Sequence, residues 1–277
     1  MRRIIILGNR DKKSVLEALD EVESWLSERA EVVVDLEMEA AVEPEDVDFG
    51  LVLGGDGSML RAARRVGVHG VPLLGINVGK FGFLTETSAD RFQSVLSDVL
   101  AGRYEMVERM MLSCRLERDG EVLLETMALN DAVVSRTALS RLMTIEFRVD
   151  GELVTTYRAD GLIVATPVGS TAHSLASGGP IVHPELDALV VTPICPHTLS
   201  NRPLVLPPEV EIALSAPEFA EPPALTVDGQ VSETLKKTDL VRIRRSETPL
   251  QLIRTGRMTF FETLCNKLDW RGQPRYV

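Results

Sequence analysis

Cysteine is scarce in this 277-residue chain: Cys114, Cys195 and Cys265 stand far apart and are odd in number. That argues against a disulfide framework, offers no zinc spacing and suits a reducing cytoplasm. Histidine is equally sparse, and His69, His183 and His197 show no metal-ligand spacing. No apolar run approaches the roughly 20 residues of a membrane span. The opening MRRIIILGN places bases before apolar residues, but Asn9, Arg10 and Asp11 cut the run short, so it reads as a first strand and not as a signal peptide. Positive charge is in deficit, with 30 Lys and Arg against 41 acids and a net charge of −11. Such a surface repels nucleic acid and anionic membranes over long range, which excludes both as expected partners. Anionic substrates must then be held by local devices, such as glycine cradles and single arginines. Two nucleotide signatures are also missing: neither the G-x-G-x-x-G order nor Gly-Lys-Ser/Thr occurs, which counts against a standard dehydrogenase or P-loop NTPase.

What is present is concentrated in LVLGGDGSMLR at 51–61. An apolar strand (Leu51, Val52, Leu53) runs into Gly54, Gly55 and Gly57, which bracket Asp56. Ser58 and a helical pattern follow (Met59, Leu60, Ala62, Ala63, Val66). Strand, glycine turn and helix start make a cradle for phosphate, because backbone N–H groups and the helix dipole favour an anion there. A carboxylate in such a cradle has two readings. It takes a proton or sits beside a metal, or it merely holds the turn and caps the helix.

Strand and helix signals alternate through the first third. Ile4–Leu7, Val32–Val34, Phe49–Leu53 and Val71–Ile76 read as strands. Val15, Leu19, Val22 and Leu26 fall at helical spacing, as do Phe92, Val95, Leu96, Val99 and Leu100 before Gly102. A βαβ series of this kind implies a parallel sheet with helices on its faces, and ligands at the carboxyl ends of its strands. From about residue 104 the character changes. Asp-Gly at 119–120 and 150–151 predicts hairpins joining Cys114–Arg118 to Glu121–Glu125 and Ile145–Val149 to Glu152–Thr156. No long amphipathic helix follows until Phe261, Leu264, Cys265 and Leu268 repeat at helical spacing. The expected fold is an α/β domain over 1–103, a mainly antiparallel β-domain over 104–256, and a helical tail over 257–277 packing on the first domain.

A second glycine-rich segment, DGLIVATPVGSTAHSLASGGP, spans 160–180. Its small residues permit close backbone approach, and the hydroxyls of Ser170, Thr171 and Ser174 can hydrogen-bond a ligand. A tightly packed loop is the plainer alternative.

Together with NVGKFGFL at 77–84, ND at 130–131 and TVDGQ at 226–230, these segments resemble the NAD kinase family in residues, order and spacing over nearly the whole chain. GGDG alone is shared with diacylglycerol and sphingosine kinases; the 160–180 segment singles out NAD kinase. The resemblance implies a Rossmann-like N-terminal α/β domain and a C-terminal mainly antiparallel β-sandwich. It implies transfer of a phosphoryl group from ATP, or polyphosphate, to the 2′-hydroxyl of the adenosine ribose of NAD, giving NADP. Mg2+ or another divalent metal would accompany ATP, and the resemblance assigns no protein ligand to it. By position, Asp56 resembles the family's proton acceptor, with Gly57 beside it in the NAD site. Asn130 and Asp131 match the pair that holds the dinucleotide. Asp160 matches an acid that recognises the nicotinamide end or, across a subunit interface, the dinucleotide. Thr171, Ala172, His173, Ser174, Leu175 and Ala176 match the segment lining the adenosine pocket, and Arg61, Arg141, Arg158 and Gln230 fall where further dinucleotide contacts occur.

The chain departs from the family's commoner residues at Ser58 (Thr), Asp131 (Glu) and His173 (Tyr). A homodimer or homotetramer is implied. The competing readings are a lipid kinase of the diacylglycerol type, which calls for a membrane-facing basic patch that this acidic chain lacks, and a non-catalytic NAD(P)-binding sensor, which the intact GGDG loop disfavours.

Overall fold

A computed structural model describes residues 2–37, 46–79, 82–137, 143–198 and 200–270. The expected contact at Arg141, and Lys80 of the glycine-flanked turn, lie outside the described residues. Contacts divide the chain into two units, Met1–Glu108 with Leu250–Val277, and Arg109–Pro249.

The first unit is built on β1 (Arg3–Leu7), β2 (Glu31–Asp35), β3 (Phe49–Leu53) and β4 (Leu73–Asn77). Among the described residues its sheet has seven strands, ordered β2, β1, β3, β4, Leu250–Arg254, Glu105–Arg109, with Thr87–Ser88 also pairing with β4. The pairs of β1 with β2 and β3, and of β4 with β3, Leu250–Arg254 and Thr87–Ser88, are parallel. The strands read as unbroken apolar runs because both faces are covered. Ile4, Ile6, Leu51, Leu53, Leu74 and Ile76 face the stripe Val15, Leu19, Val22 and Leu26 of helix α1 (Lys13–Ser27) and Val95, Leu96 and Val99 of helix α3 (Phe92–Leu100). Each such buried aliphatic side chain contributes about 1.5–3 kcal/mol of transfer free energy. Two residues, Gly54 and Gly55, separate the end of β3 from helix α2 (Asp56–Arg65).

Leu250–Arg254 sits outside the boundary expected from sequence, which assigns it to the β-domain. A short apolar run bounded by turns looks the same in a sandwich as in a parallel sheet, so its partner strands cannot be read locally. The tail helix Phe260–Leu268 forms with a capping box between Thr259 and Glu262. Of its predicted stripe, Leu264 is buried and Cys265 and Leu268 are half-buried, but Phe261 falls outside. Phe261 is 63% exposed, while Thr263 and Leu264 are buried and the Phe260 ring lies 6.2 Å from that of Phe83.

Among the described residues the second unit contains two six-stranded antiparallel sheets. One runs Glu152–Ala159, Met143–Val149, Ile212–Glu218, Leu240–Arg245, Leu112–Arg118, Glu121–Ala128. The other runs Leu204–Leu206, Leu189–Ile194, Gly161–Ala165, Asp131–Ser135, Ala224–Val227, Val231–Thr234. Their inner faces share one core, in which Leu112, Cys114, Leu116, Ile145 and Phe147 meet Ala132, Val134, Leu162, Val164 and Val191. Both predicted hairpins form. At Asp119-Gly120 (φ 52 and 89) and Asp150-Gly151 (φ 50 and 83) both turn residues are left-handed, the geometry that matches strand twist in two-residue loops. A third Asp-Gly turn, Asp228-Gly229 (φ 51 and 64), joins Ala224–Val227 to Val231–Thr234.

Candidate active site

In the first unit the chemistry gathers where β3 ends. Gly55 is the N-cap residue of α2 in an extended conformation (φ −108, ψ −164), and Asp56 opens the helix. A Cβ at Gly54 would overlap the Ser58 hydroxyl, whereas one at Gly55 or Gly57 would meet nothing within 4 Å. The first glycine therefore closes the turn, and the other two border open space beside Asp56. The Asp56 side chain does not cap its own helix. Its Oδ2 accepts from the amide of Phe83 at 3.1 Å and its Oδ1 from the amide of Leu84 at 3.0 Å. A Cβ at Gly82 would collide with that carboxylate.

The loop that supplies these amides is itself pinned. Gly79 N–H donates to Asn77 Oδ1 at 2.6 Å, and Glu86 N–H donates to the Gly75 carbonyl at 2.8 Å. The Glu86 carboxylate, 3% exposed as a residue, accepts from Thr255 N–H at 2.7 Å and Thr255 Oγ1 at 2.6 Å, and pairs with Arg254 at 2.9 Å. The strand Leu250–Arg254 thus braces the loop that orients Asp56. Arg61 is exposed and donates to the Glu37 carbonyl at 2.7 Å.

In the second unit a depression of about 280 Å³ is lined by Asn130, Asp131, Ala172, His173, Thr226 and Asp228, among others. The segment Leu129–Asp131 at its edge has every backbone polar group partnered. Asp228 receives its three amides: Leu129 N–H to Oδ2 at 3.1 Å, and Asn130 and Asp131 N–H to Oδ1 at 2.8 and 3.2 Å. Thr166 takes two carbonyls, with Oγ1 donating to Leu129 O at 2.5 Å and its N–H to Asn130 O at 2.9 Å. The Asp131 carbonyl accepts from Asp228 N–H at 2.9 Å. Gly169 lies against the same segment, so close that a Cβ would overlap the Asn130 carbonyl. Buried backbone groups must find partners, and here the partners also fix where the Asn130 and Asp131 side chains start.

Asp131 is buried beside a second carboxylate. Burial, and then the negative charge of Asp228, push its acid up to about 7. Asp160 is paired with Arg136, whose Nη2 donates to Oδ2 at 2.8 Å.

The predicted contact segment divides in two. Ala172 and His173 line the depression, with His173 exposed. The hydroxyls offered as ligand donors are engaged within the fold. Ser170 Oγ donates to the Pro167 carbonyl at 2.6 Å and accepts from Val182 N–H at 3.0 Å, Thr171 Oγ1 donates to Val168 O at 3.0 Å, and Ser174 Oγ bonds Thr192 Oγ1 at 2.8 Å. Ser174 is fully buried, whereas Thr171 and Leu175 are half-buried and Ala176 is exposed. Arg158 and Gln230 are exposed, and neither lines the depression. Among the described residues no three His, Cys, Asp or Glu side chains cluster to hold a metal ion.

Sequence reading singled out neither Thr166 nor Asp228 nor the amides of Phe83 and Leu84, which bond the candidate residues or their backbone. Asp228 carried a signal, as an Asp-Gly dipeptide followed by a short strand-like run. The reach from Asp56 to the 82–84 loop carried none.

The ATP-NAD kinase N-terminal domain profile matches residues 37–104 and the ATP-NAD kinase C-terminal domain profile matches residues 129–255. The chain is 40% identical to the NAD kinase of Geobacter sulfurreducens over 98% of this chain and 99% of that one. It is 45% identical to that of Geobacter metallireducens over 82% of this chain and 80% of that one. Among solved structures, yeast NADH kinase complexed with NADH superposes with a TM-score of 0.88 at 26% identity, over 100% of this chain and 90% of that one. The NAD kinase from Archaeoglobus fulgidus in complex with ATP gives 0.76 at 28% identity, over 98% and 100%.

Proposed function

Because the chain belongs to the NAD kinase family and transfers phosphate from ATP to NAD, we propose that Asp56 accepts the proton of the attacking ribose 2′-hydroxyl. The observation that supports this reading is the pair of amide bonds from Phe83 and Leu84, which fix the Asp56 carboxylate against the 82–84 loop, while its chain neighbours Gly55 and Gly57 border open space.

Phosphoryl transfer asks mainly for positioning and charge stabilisation. The helix start receives phosphate charge, and the missing side chains at Gly55 and Gly57 leave room for phosphate and ribose to approach together. As the ribose oxygen bonds to the γ-phosphorus, the bond from phosphorus to the bridging oxygen of ADP breaks, and the hydroxyl proton passes to Asp56. A carboxylate is a weak base for an alcohol, so its part is to orient the oxygen first and take the proton late. Asn130 and Asp131 hold the dinucleotide, with Ala172 and His173 forming the wall on which the adenosine rests. Gly57, Arg61, Arg141, Arg158, Asp160, Gln230 and the stretch Thr171–Ala176 complete the assigned contacts, the Ser174 hydroxyl acting through Thr192 instead of through ligand. Mg2+ accompanying ATP would neutralise phosphate charge when bound.

We further propose a cytoplasmic homo-oligomer. Its support is apolar surface on the edge strands of one sheet, where Val122, Leu123, Leu153 and Val154 are each 46–51% exposed. No described helix is long and apolar enough to cross a membrane.

The test is NADP formation from NAD, ATP and magnesium, read by an NADP-specific dehydrogenase, with NADH and polyphosphate as further substrates. Asp56→Asn should lower kcat by about two or more powers of ten while NAD binding survives. Turnover by that variant near wild-type would rule out proton acceptance by Asp56.

A further inference from the structure

The catalytic reading leaves Asp228 unused, yet its side chain accepts three backbone amides, one more than that of Asp56. It sits in a left-handed turn conformation (φ 51), is 7% exposed, and accepts the amides of Leu129, Asn130 and Asp131 on its two oxygens. Its own N–H extends the strand ladder by donating to the Asp131 carbonyl at 2.9 Å. A hairpin tip therefore folds back over the first residues of a neighbouring strand and grips them from the amide side. Thr166 grips the same residues from the carbonyl side.

We propose that Asp228 is a positioning residue for NAD binding, holding Asn130 and Asp131 in the one backbone arrangement that presents both side chains to the dinucleotide. The proposal rests on the reading that Asn130 and Asp131 contact NAD.

The chemistry requires an acid at this position. Three N–H donors converge on two oxygens, and only a carboxylate is an acceptor at both. Asparagine would keep one oxygen but turn an NH2 group toward an N–H, replacing attraction by donor–donor opposition. The left-handed backbone suits asparagine as well as aspartate, so Asp228→Asn alters the grip without straining the turn. A carboxylate used only to stabilise a hairpin would not need to reach into a segment 97 to 99 residues away.

The experiment is steady-state kinetics of Asp228→Asn, with Asn130→Ala and Asp131→Asn alongside. Positioning predicts that the NAD KM rises about tenfold or more while kcat at saturating NAD and the ATP KM stay within about twofold. Two results overturn the proposal: an unchanged NAD KM, or a loss spread equally over NAD KM, ATP KM and kcat, which marks a structural role only. If Asn130→Ala and Asp131→Asn themselves leave the NAD KM unchanged, the reading of the pocket fails and the proposal goes with it. If those two raise it and Asp228→Asn does not, the proposal alone fails.

Should Asp228→Asn not fold, amide hydrogen exchange on the wild-type protein carries the test. Strong protection at 129–131, deepened by NAD, supports the grip. Exchange there as fast as at exposed loop amides overturns it.

Discussion

Gly82 and Asp56 are packed so tightly that the carboxylate of one occupies the space in which the other would carry a side chain. The two lie on different elements, and the Phe83 and Leu84 amides next to Gly82 hold the Asp56 oxygens at 3.1 and 3.0 Å. Gly82→Ala must push either the loop or the carboxylate away. We expect kcat to fall by roughly 10- to 100-fold, the range associated with displacements of about 1 Å at a reacting group. Steady-state assays at saturating NAD and ATP check this, with circular dichroism confirming that the variant is folded.

Asp131 couples stability to pH. Its acid is raised from 3.8 to about 7 in the fold, by burial first and by Asp228 second, so the folded state holds the proton more tightly than the unfolded chain does. Its contribution is fully present below pH 3.8 and is lost as pH rises toward 7. Asp131→Asn removes this dependence. The variant should gain on the order of 2 kcal/mol relative to wild-type between pH 5 and pH 7. Urea denaturation at the two pH values measures it, and parallel wild-type and variant curves would contradict it.

Gly169 makes its close approach to the Asn130 carbonyl, which the Thr166 amide also uses. Gly169→Ala should cost about 1–3 kcal/mol of stability, as overpacking does, and weaken NAD binding by displacing Asn130. Calorimetric titration with NAD and thermal melting report the two effects separately.

Arg118 and Asp239 form a two-pronged pair at 2.7 Å through each oxygen, tying the strand Leu112–Arg118 to the turn before Leu240–Arg245. Burial works against the Asp239 charge, but the bonds from Arg118 and the Lys236 amide outweigh it, and the carboxyl lies below its usual range. The stability it supplies is present above the ordinary carboxylate value of 3.8 and is lost as pH falls through its lowered value. Asp239→Asn should lower the Tm by several degrees at pH 7 and leave it little changed in strong acid. Melting curves across that range decide it.

Much of this was legible because local rules decided it. Glycines 54, 55 and 57 announced the turn, the four apolar residues of α1 announced its buried face, and Asp-Gly announced the hairpins at 119 and 150. What escaped reading depends on partners distant along the chain. Asp56 meets amides 27 and 28 residues away, and Glu86 meets Thr255 across 169. Phe261 alone fell off its predicted stripe, because helical spacing leaves adjacent rotations open and Phe260 packs near Phe83 in its place. Ser170 and Ser174 are the types that bind ligands, but a compact turn spends the same hydroxyls on its own backbone and neighbours.

The first sheet draws its strands from two stretches far apart in sequence, with residues 110–249 lying between Glu105–Arg109 and Leu250–Arg254. On a ribosome adding about 5–20 residues per second, the nascent sheet therefore waits on the order of 10 s for its returning strand. During that interval the Glu86 carboxylate has no Arg254 or Thr255 to receive. The brace behind Asp56 is completed only once Arg254 and Thr255 have been made, so a chain cut short before them would emerge with its glycine turn intact and its 82–84 loop unsupported.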